Sequence, residues 1–517
     1  MMSKILTLAL LLTFAGCTTS TPPSQNAVPT VTTGATPAAI PYSIALDGFS
    51  IDGFPGLHSA VVAGAPEKLL MIGGRRNGLH GFPGDRGPQG GPSFPKTEAN
   101  DTIYALDLKN RKLLGTSQVN SLPPKVASQF KATNMEYQLL NGWLYIVGGY
   151  GPDPKTGTLR TLGYVTVVNF DALAGAVMTK QPLDAAFASA NIIQFDHPAL
   201  AVTGGDLDLL PDASGATDFV LAFGQQYDGE YTLGGSQANQ NYSDGVRVFQ
   251  FTYPANSAKP SGVKFLTSVP NPPGTQMDPE SQYHRRDFTM QPSLDASGKR
   301  LLVVYGGVFK GGRFEGFLNP VVIGSGSNTV TVTPNTSTTQ LLSQYDTAAI
   351  QLFDNRDGAG TIYTTFFGGI SQYYWDDASQ SLKRDAMNLP AKDGLPFINS
   401  VSTLKMPTSN NTGTQYLHTG QAFPPASSVP TCSNVPANYG GSESKFVIGS
   451  GVATATEGVL QLSAINYSSI VGYVVGGIAS TAPYPVGATC ASNLFYQVTL
   501  NPTQPTNTVQ LQAPPTN

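Results

Sequence analysis

Positive charge is scarce in this chain, and what there is gathers in a few places. The segment GGRRNGLHGFPGDRG carries Arg75, Arg76, His80 and Arg86. YHRRDF supplies His284, Arg285, Arg286 and Asp287, and GGVFKGGRFEG supplies Lys310, Arg313 and Glu315. A guanidinium fork can hold a carboxylate or phosphate through two hydrogen bonds. Clustered Arg beside His therefore points to anion recognition, with Arg75, Arg76, His58, Arg285, Arg286, Lys310 and Arg313 as the expected ligand-binding set. The competing reading is solvated loop charge, paired with Asp85, Asp287 and Glu315. A second set comprises His58, Glu136, His197, Arg286, Asp287 and Asp346, each near the start of an apolar run. An acid, a base and an Arg in one cavity would suit proton transfer on a sugar. Glu136, Arg286, Asp287 and His197 are the candidates for that role. Polar caps on strand ends are the alternative for the same residues.

Other chemistries find less support. The acidic stretches DLDLLPDASGATD (206–218) and DNRDGAG (354–360) invite a calcium reading, because that ion favours clustered oxygen ligands. Both fall between paired apolar runs, where Asp, Asn and Gly serve turn geometry. Phosphate-cradling glycine loops, a Gly-x-Ser-x-Gly elbow and paired-Cys metal motifs are missing from the sequence. No cofactor and no metal site is expected. Net charge is −4, which argues against a general nucleic-acid binder. Cys432 and Cys490 form an even pair late in the chain and are disulfide candidates if the protein is exported.

The elements that must position these residues are read from composition and repetition. Charged residues are 12% of the 517, about half the usual share, while Gly (56) and Pro (40) are abundant. With 40% apolar residues a large core can form, and coiled coils or helical bundles are excluded. The body repeats a unit of apolar strand, polar turn, second apolar strand, then Gly-Gly or a variant of it. The seven copies end at Gly73-Gly74, Gly148-Gly149, Gly224-Gln225, Gly306-Gly307, Gly368-Gly369, Gly420-Gln421 and Gly476-Gly477. The sixth copy, SVSTLKMPTSNNTGTQYLHTGQ, is the weakest. The intervals are 75, 76, 82, 62, 52 and 56 residues. A period that varies by insertion suits a propeller of four-stranded blades. Third strands are visible downstream as DTIYALDL, YVTVVNFD, DGVRVFQFTY and NLFYQVTL.

Met1–Cys17 reads MMSKILTLALLLTFAGC, with Lys4 ahead of an eleven-residue, mostly apolar run that is too short to span a bilayer. Its end, Phe14-Ala15-Gly16-Cys17, resembles a bacterial lipoprotein lipobox. That resemblance implies lipidation of Cys17. The uncharged TTSTPPSQNAVPTVTTGATPAAIP that follows reads as a tether. The expected organisation is a signal peptide (1–16), a lipidated Cys and disordered tether (17–41), a propeller (42–500) and a disordered tail (501–517). The location implied is the bacterial envelope, lipid-anchored at the outer membrane.

The strand, Gly-Gly, variable loop, and strand with Tyr or Phe together resemble the kelch repeat, as in the central domain of galactose oxidase. This implies an all-β chain folded as a single β-propeller of antiparallel four-stranded blades, seven in number with six as the alternative. The segment Tyr42 to Asp47 is expected to pair with the last blade and close the ring. The copper chemistry of galactose oxidase is not expected: it needs a Tyr cross-linked to a Cys plus His and Tyr ligands, and the candidate Cys residues, Cys432 and Cys490, have only His418 near them in sequence. Sialic acid mutarotases are also kelch-like exported proteins, but no local motif carries their residues over. The long insertions 75–100, 150–163, 226–243 and 308–320 are assigned to one face. The expected function is recognition of an anionic glycan or a protein partner on that face, by a monomer. An enzyme acting on an acidic sugar is the alternative.

Overall fold

The computed structural model describes residues 39–81, 92–231, 239–272, 278–312, 315–326, 329–384, 395–484 and 489–514. The leader, Cys17, most of the tether, Asp85, Arg86 and Arg313 lie outside the described residues. The chain is mostly β, with its sheets in a β-propeller arrangement. Four sheets have four strands, one has five and one has seven. Each contains an antiparallel run of four.

The first sheet runs Val61–Ala65, Lys68–Ile72, Thr102–Asp107, Lys112–Gln118. The second is Glu136–Leu140, Trp143–Val147, Tyr164–Asn169, Ile192–Asp196. The third is Asp206–Pro211, Thr217–Ala222, Val246–Thr252, Gly262–Val269, and the fourth is Thr289–Leu294, Arg300–Tyr305, Val321–Ser325, Val330–Pro334. The fifth is Ala349–Asp354, Thr361–Phe367, Ser400–Pro407, Thr414–Ala422. The sixth is Tyr439–Ile448, Ser469–Ser480, Leu494–Asn501 and then Ser43–Ser50. This last pairing joins Ser43 to Asn501 and Ser50 to Leu494, so the start of the described chain completes the final sheet. The third strand of each of four sheets is one of those read from the sequence.

Two of the seven expected copies are assembled differently. The weak sixth copy opens no sheet. Its strand Ser400–Pro407 hydrogen-bonds to Thr361–Phe367 and Thr414–Ala422 to Ser400–Pro407, as the outer half of the fifth sheet. In the last copy, Val459–Gln461 pairs in parallel with Ala349–Asp354. The innermost strand of the sixth sheet is instead Tyr439–Ile448, from ANYGGSESKFVIGS. Its two glycines and four polar residues hid it from an apolar-run criterion.

The glycine pairs join neighbouring sheets. The last glycine of each turn donates its N–H to a carbonyl at or just ahead of the start of the next innermost strand: Gly74 to Ala132 (2.8 Å), Gly149 to Val202 (2.8 Å), Gly224 (after Phe223, the left-handed residue in the first place) to Arg285 (3.1 Å), Gly369 to Gly440 (2.7 Å) and Gly477 to Leu57 (3.0 Å). The last of these ties the sixth sheet to the first. A side chain cannot enter this junction. A Cβ on Gly148 would lie 2.0 Å from the Val202 carbonyl oxygen.

Helical segments sit between the third and fourth strands of the second sheet. Phe170–Thr179 starts at Asn169, whose Oδ1 accepts from Ala172 N (2.9 Å). Phe170, Leu173, Ala174 and Val177 recur at helical spacing and are buried against Val61, Leu70 and Ile103 of the first sheet. The strand reading of YVTVVNFD ran two residues into this helix.

Cys432 and Cys490 are disulfide-bonded, with Cα atoms 5.5 Å apart. Both expected domain edges shift. Ile40 and Tyr42 are fully buried, and Tyr42 Oη bonds Thr365 Oγ1 (2.8 Å). The segment expected as a loose tail carries a strand, Thr508–Gln510, paired with Tyr416–His418. Leu511 then packs with Leu341, Leu342 and Leu417. Leu511→Ala is expected to cost about 2–3 kcal/mol, and a chain ended at Leu500 should unfold several degrees lower than one ended at Pro514. Thermal unfolding of both, followed by circular dichroism, checks this; equal midpoints would return the segment to a loose tail.

Candidate functional site

Each sheet presents two residues to the channel mouth by the same backbone device. A residue with left-handed φ precedes or enters the innermost strand: Ser59 (54°), Asn134 (48°), Gly204 (66°), Asp287 (52°), Asp346 (40°) and Glu443 (60°). The residue just before it pairs with the one that follows the glycine turn. The pairs are His58–Arg75, Thr133–Tyr150, Thr203–Gln225, Arg286–Val308, Tyr345–Ile370 and Ser442–Ile478. All twelve line a single cavity of about 120 Å³. Loops carrying Leu79, His80, Phe94, Tyr231 and Phe309 complete it. The four insertions assigned to one face all reach this cavity, through Arg75, Tyr150, Tyr227 and Val308 among others.

The mouth has a charged, aromatic side and an apolar side. Arg286 is 3% exposed. Its Nη1 donates to Gln225 Oε1 (2.6 Å) and Tyr242 Oη (2.9 Å), its Nη2 to Tyr231 Oη (2.5 Å), and its Nε to Asp287 Oδ2 (3.2 Å). Burial opposes its charge, but Tyr231, Tyr242 and Asp287 outweigh that and hold the guanidinium above its ordinary value. Arg75 is 4% exposed, lies 5.0 Å over the Phe94 ring, and donates to Pro95 O (2.8 Å) and Asn77 Oδ1 (3.1 Å). Burial lowers it to about 10, so it keeps its proton at neutral pH. Phe94, Tyr150, Tyr227 and Tyr231 form an edge-to-face cluster beside these cations. His58 is buried, bonds Ser59 Oγ through Nδ1 (2.9 Å), and has no partner at Nε2. Desolvation, then Arg75 and His80, push it down to about 3, so it is neutral. Val308, Ile370, Leu395 and Ile478 form the apolar side.

A second cavity, about 270 Å³, lies beyond the ring of left-handed residues, with Ser59, Asn134 and Glu443 lining both. It is acidic: Glu136, Asp206, Asp208, Asp346 and Glu443 face it with Lys445. Burial raises Glu136 well above the carboxylate range and takes Asp206 to about 6. Glu136 Oε1 accepts from Gly205 N (2.8 Å), and Oε2 has no partner. Lys445 Nζ bonds Asp346 Oδ1 (2.9 Å).

The expected residues therefore divide. His58, Arg75, Arg286 and Asp287 meet in the mouth, while Glu136 and Asp346 line the second cavity. Arg285 is fully buried and spends its donors on Gln282 O, Gln282 Oε1, Gly306 O and Asn319 O, over the Phe317 ring. It is a structural cation and not a ligand group, because no donor faces a cavity. Arg76 is exposed and bonds Thr97 O, and Lys310 approaches Glu280 (3.9 Å); neither lines the mouth. His197 stacks on Phe265 of the adjacent sheet's outermost strand, well away from an innermost strand. His284 stacks on Tyr242 and bonds Asp244 Oδ2 (3.0 Å), and Glu315 pairs with Arg384 (3.0 Å). The acidic stretches form turns: Asp212 Oδ1 accepts from Ser214 N (2.8 Å) and Ala216 N (2.9 Å). Among the described residues no cluster of three His, Cys, Asp or Glu could hold a metal.

The residues missed are Tyr150, Gln225, Tyr345, Glu443 and Lys445. A signal existed for the first two. In each of the six sheets the position directly after the left-handed turn faces the mouth, and Tyr150 and Gln225 (after Phe223-Gly224) occupy it.

No protein-family model matches the chain, and no curated protein matches it. Among solved structures, the one titled "Structure of YjhT" is similar over 86% of this chain and 99% of that chain, with 10% identity and a TM-score of 0.40. At that level the likeness carries nothing about ligand or activity.

The raised carboxyls have a sign that can be measured. A folded-state pKa above the unfolded 3.8 makes Asp206 favourable at low pH, and that contribution is lost as pH rises through about 6. Asp206→Asn should therefore be more stable than wild type at pH 7.5, by roughly 1–2 kcal/mol. The gap should close by pH 4. Thermal unfolding across that range reads it, and a gap that widens on acidification would contradict the assignment.

Proposed function

We propose that this chain is a six-bladed propeller carried by an envelope lipoprotein, and that it binds an acidic glycan unit in its channel mouth. The observation that carries the reading is two buried guanidinium groups, Arg75 and Arg286, lining one cavity against aromatic rings. Buried cations attract an anion far more strongly than solvated ones, because the protein screens less than water. Aromatic faces suit the C–H surfaces of a sugar ring, and the apolar side suits an N- or O-linked substituent. Six four-stranded runs, each with its own left-handed residue and glycine turn, support six blades over seven.

Recognition is favoured over acid–base catalysis because the mouth's Asp287 is engaged by Arg286 Nε, while the other candidates Glu136 and His197 lie outside the mouth. Glu136 and Asp346 lie across the residue ring from His58 and Arg286. Anchoring at the outer membrane rests on the Phe14-Ala15-Gly16-Cys17 pattern and the uncharged tether. Among the described residues no helix is long and apolar enough to cross a membrane.

Two experiments test this. On a glycan array, residues 39–514 should select glycans with a carboxylate or sulfate. Arg75→Ala and Arg286→Ala should weaken binding tenfold or more, while Arg76→Ala and Lys310→Ala leave it unchanged. Equal binding by all four folded variants would remove the mouth from consideration, and selection of acidic peptides instead would replace the glycan. In cells, the full chain should incorporate a fatty-acid probe and fractionate with membranes. Cys17→Ala should abolish both, and a membrane-bound, labelled Cys17→Ala chain would refute the anchor.

A further inference from the structure

Arg75 is shared by two cavities. On one side it lines the mouth, and on the other a groove of about 260 Å³. Phe94 and Tyr150 line both as well, so these three side chains form a common wall. Two of the long insertions build the groove. The insertion 75–100 gives it Phe94 and Lys96, and the insertion 150–163 gives it Tyr150 and Leu159. Lys131, ahead of the second sheet's innermost strand, completes it.

Charge in the groove is not balanced. Arg75, Lys96 and Lys131 line it with a single acid, Asp101. That carboxylate accepts from Asn120 Nδ2 (3.1 Å) and Thr102 Oγ1 (3.2 Å). Among the described residues, neither lysine ammonium has a hydrogen bond or an ion pair. Arg75 spends Nε on Asn77 Oδ1 and Nη2 on Pro95 O. A concave site lined by one sign of charge concentrates its field and draws in the opposite sign. Leu159 and the rings of Phe94 and Tyr150 add an apolar surface that a sugar ring can lie against.

We propose that the groove is a second subsite and that the ligand is an acidic oligosaccharide. One charged unit occupies the mouth at Arg75 and Arg286, and the carboxylate of the next unit meets Lys96 and Lys131 across the shared wall. The ligand class is a chain of uronic acid units, with a carboxylate on successive sugars, and not a single acidic sugar. This rests on the anion-binding reading of the mouth and adds a chain length to it.

Titration calorimetry on the full chain compares D-galacturonate with its linear trimer. The wild type should bind the trimer about tenfold more tightly than the monomer. Lys96→Gln combined with Lys131→Gln should remove most of that advantage. Monomer binding should not change, because neither lysine lines the mouth. Lys96→Arg combined with Lys131→Arg keeps both charges and should keep the advantage. Lys96 is exposed and Lys131 half-buried, and melting midpoints check the fold of each variant. Equal affinity for monomer and trimer in the wild type overturns the subsite and spares the mouth. So does a trimer advantage that the Gln pair retains. Trimer binding that Arg286→Ala leaves unchanged removes the mouth, and the shared ligand with it. Binding of neither sugar overturns both readings.

Discussion

Six strands must begin beside one axis, and the backbone there has almost no room. The last glycine of a turn gives its N–H to a carbonyl at or just ahead of the start of the next sheet, in five junctions, including the one that returns from the sixth sheet to the first. That bond draws two backbones so close that a Cβ at Gly148 or Gly368 would come within 2.0 or 2.2 Å of a neighbouring carbonyl oxygen. Both glycines of the pair also take left-handed φ, which costs a glycine little. The sheets are thereby held at fixed positions around the axis. The same turn sends the next residue inward. Arg75, Tyr150, Gln225, Val308, Ile370 and Ile478 all reach the mouth because each follows such a turn. The site is thus a by-product of the junction, and its chemistry is whatever that one position carries.

How far this was legible depended on which physical constraint left a mark in the chain. Five glycine turns and the closing strand were visible because steric exclusion leaves no choice of residue and because apolar strands alternate with turns. The innermost strand Tyr439–Ile448 was invisible, since its inward positions carry Ser442, Glu443 and Lys445. A strand whose inner end lines a polar cavity need not be apolar. The copy at Ser400–Gln421 misled for the converse reason. It intersperses Val401, Leu404, Met406 and Leu417 among polar residues and has a glycine near its end, but its partner is the preceding strand pair. At the site, charge clustering correctly drew attention to two loops but could not separate Arg286 from its neighbour Arg285. Adjacent residues on an extended chain face opposite ways. One guanidinium therefore enters the mouth and the other is consumed by backbone carbonyls. His197 failed differently: an outer-strand end and an inner-strand start look alike in sequence.

The helix at Phe170–Thr179 shows the same limit on a smaller scale. Its capping Asn169 and its apolar spacing were present, but they followed a strand without a break. Packing on the first sheet stabilises it, and that partner is about a hundred residues upstream.

The channel changes sign along its length, and this decides how deep an anion can go. Arg75 and Arg286 lie on the mouth side. The ring below them includes Asp287, Asp346 and Glu443, and the cavity beyond adds Glu136, Asp206 and Asp208 against one Lys445. Burial has already raised Glu136, Asp206, Asp287 and Glu443, which means the site avoids ionising all of them together. An added negative charge below the ring would meet acids that cannot move away. An anion in the proposed mouth site would therefore stay above Ser59 and Glu443, beside the aromatic wall. On the proposed reading, the acidic cavity is a floor that an anion would not pass.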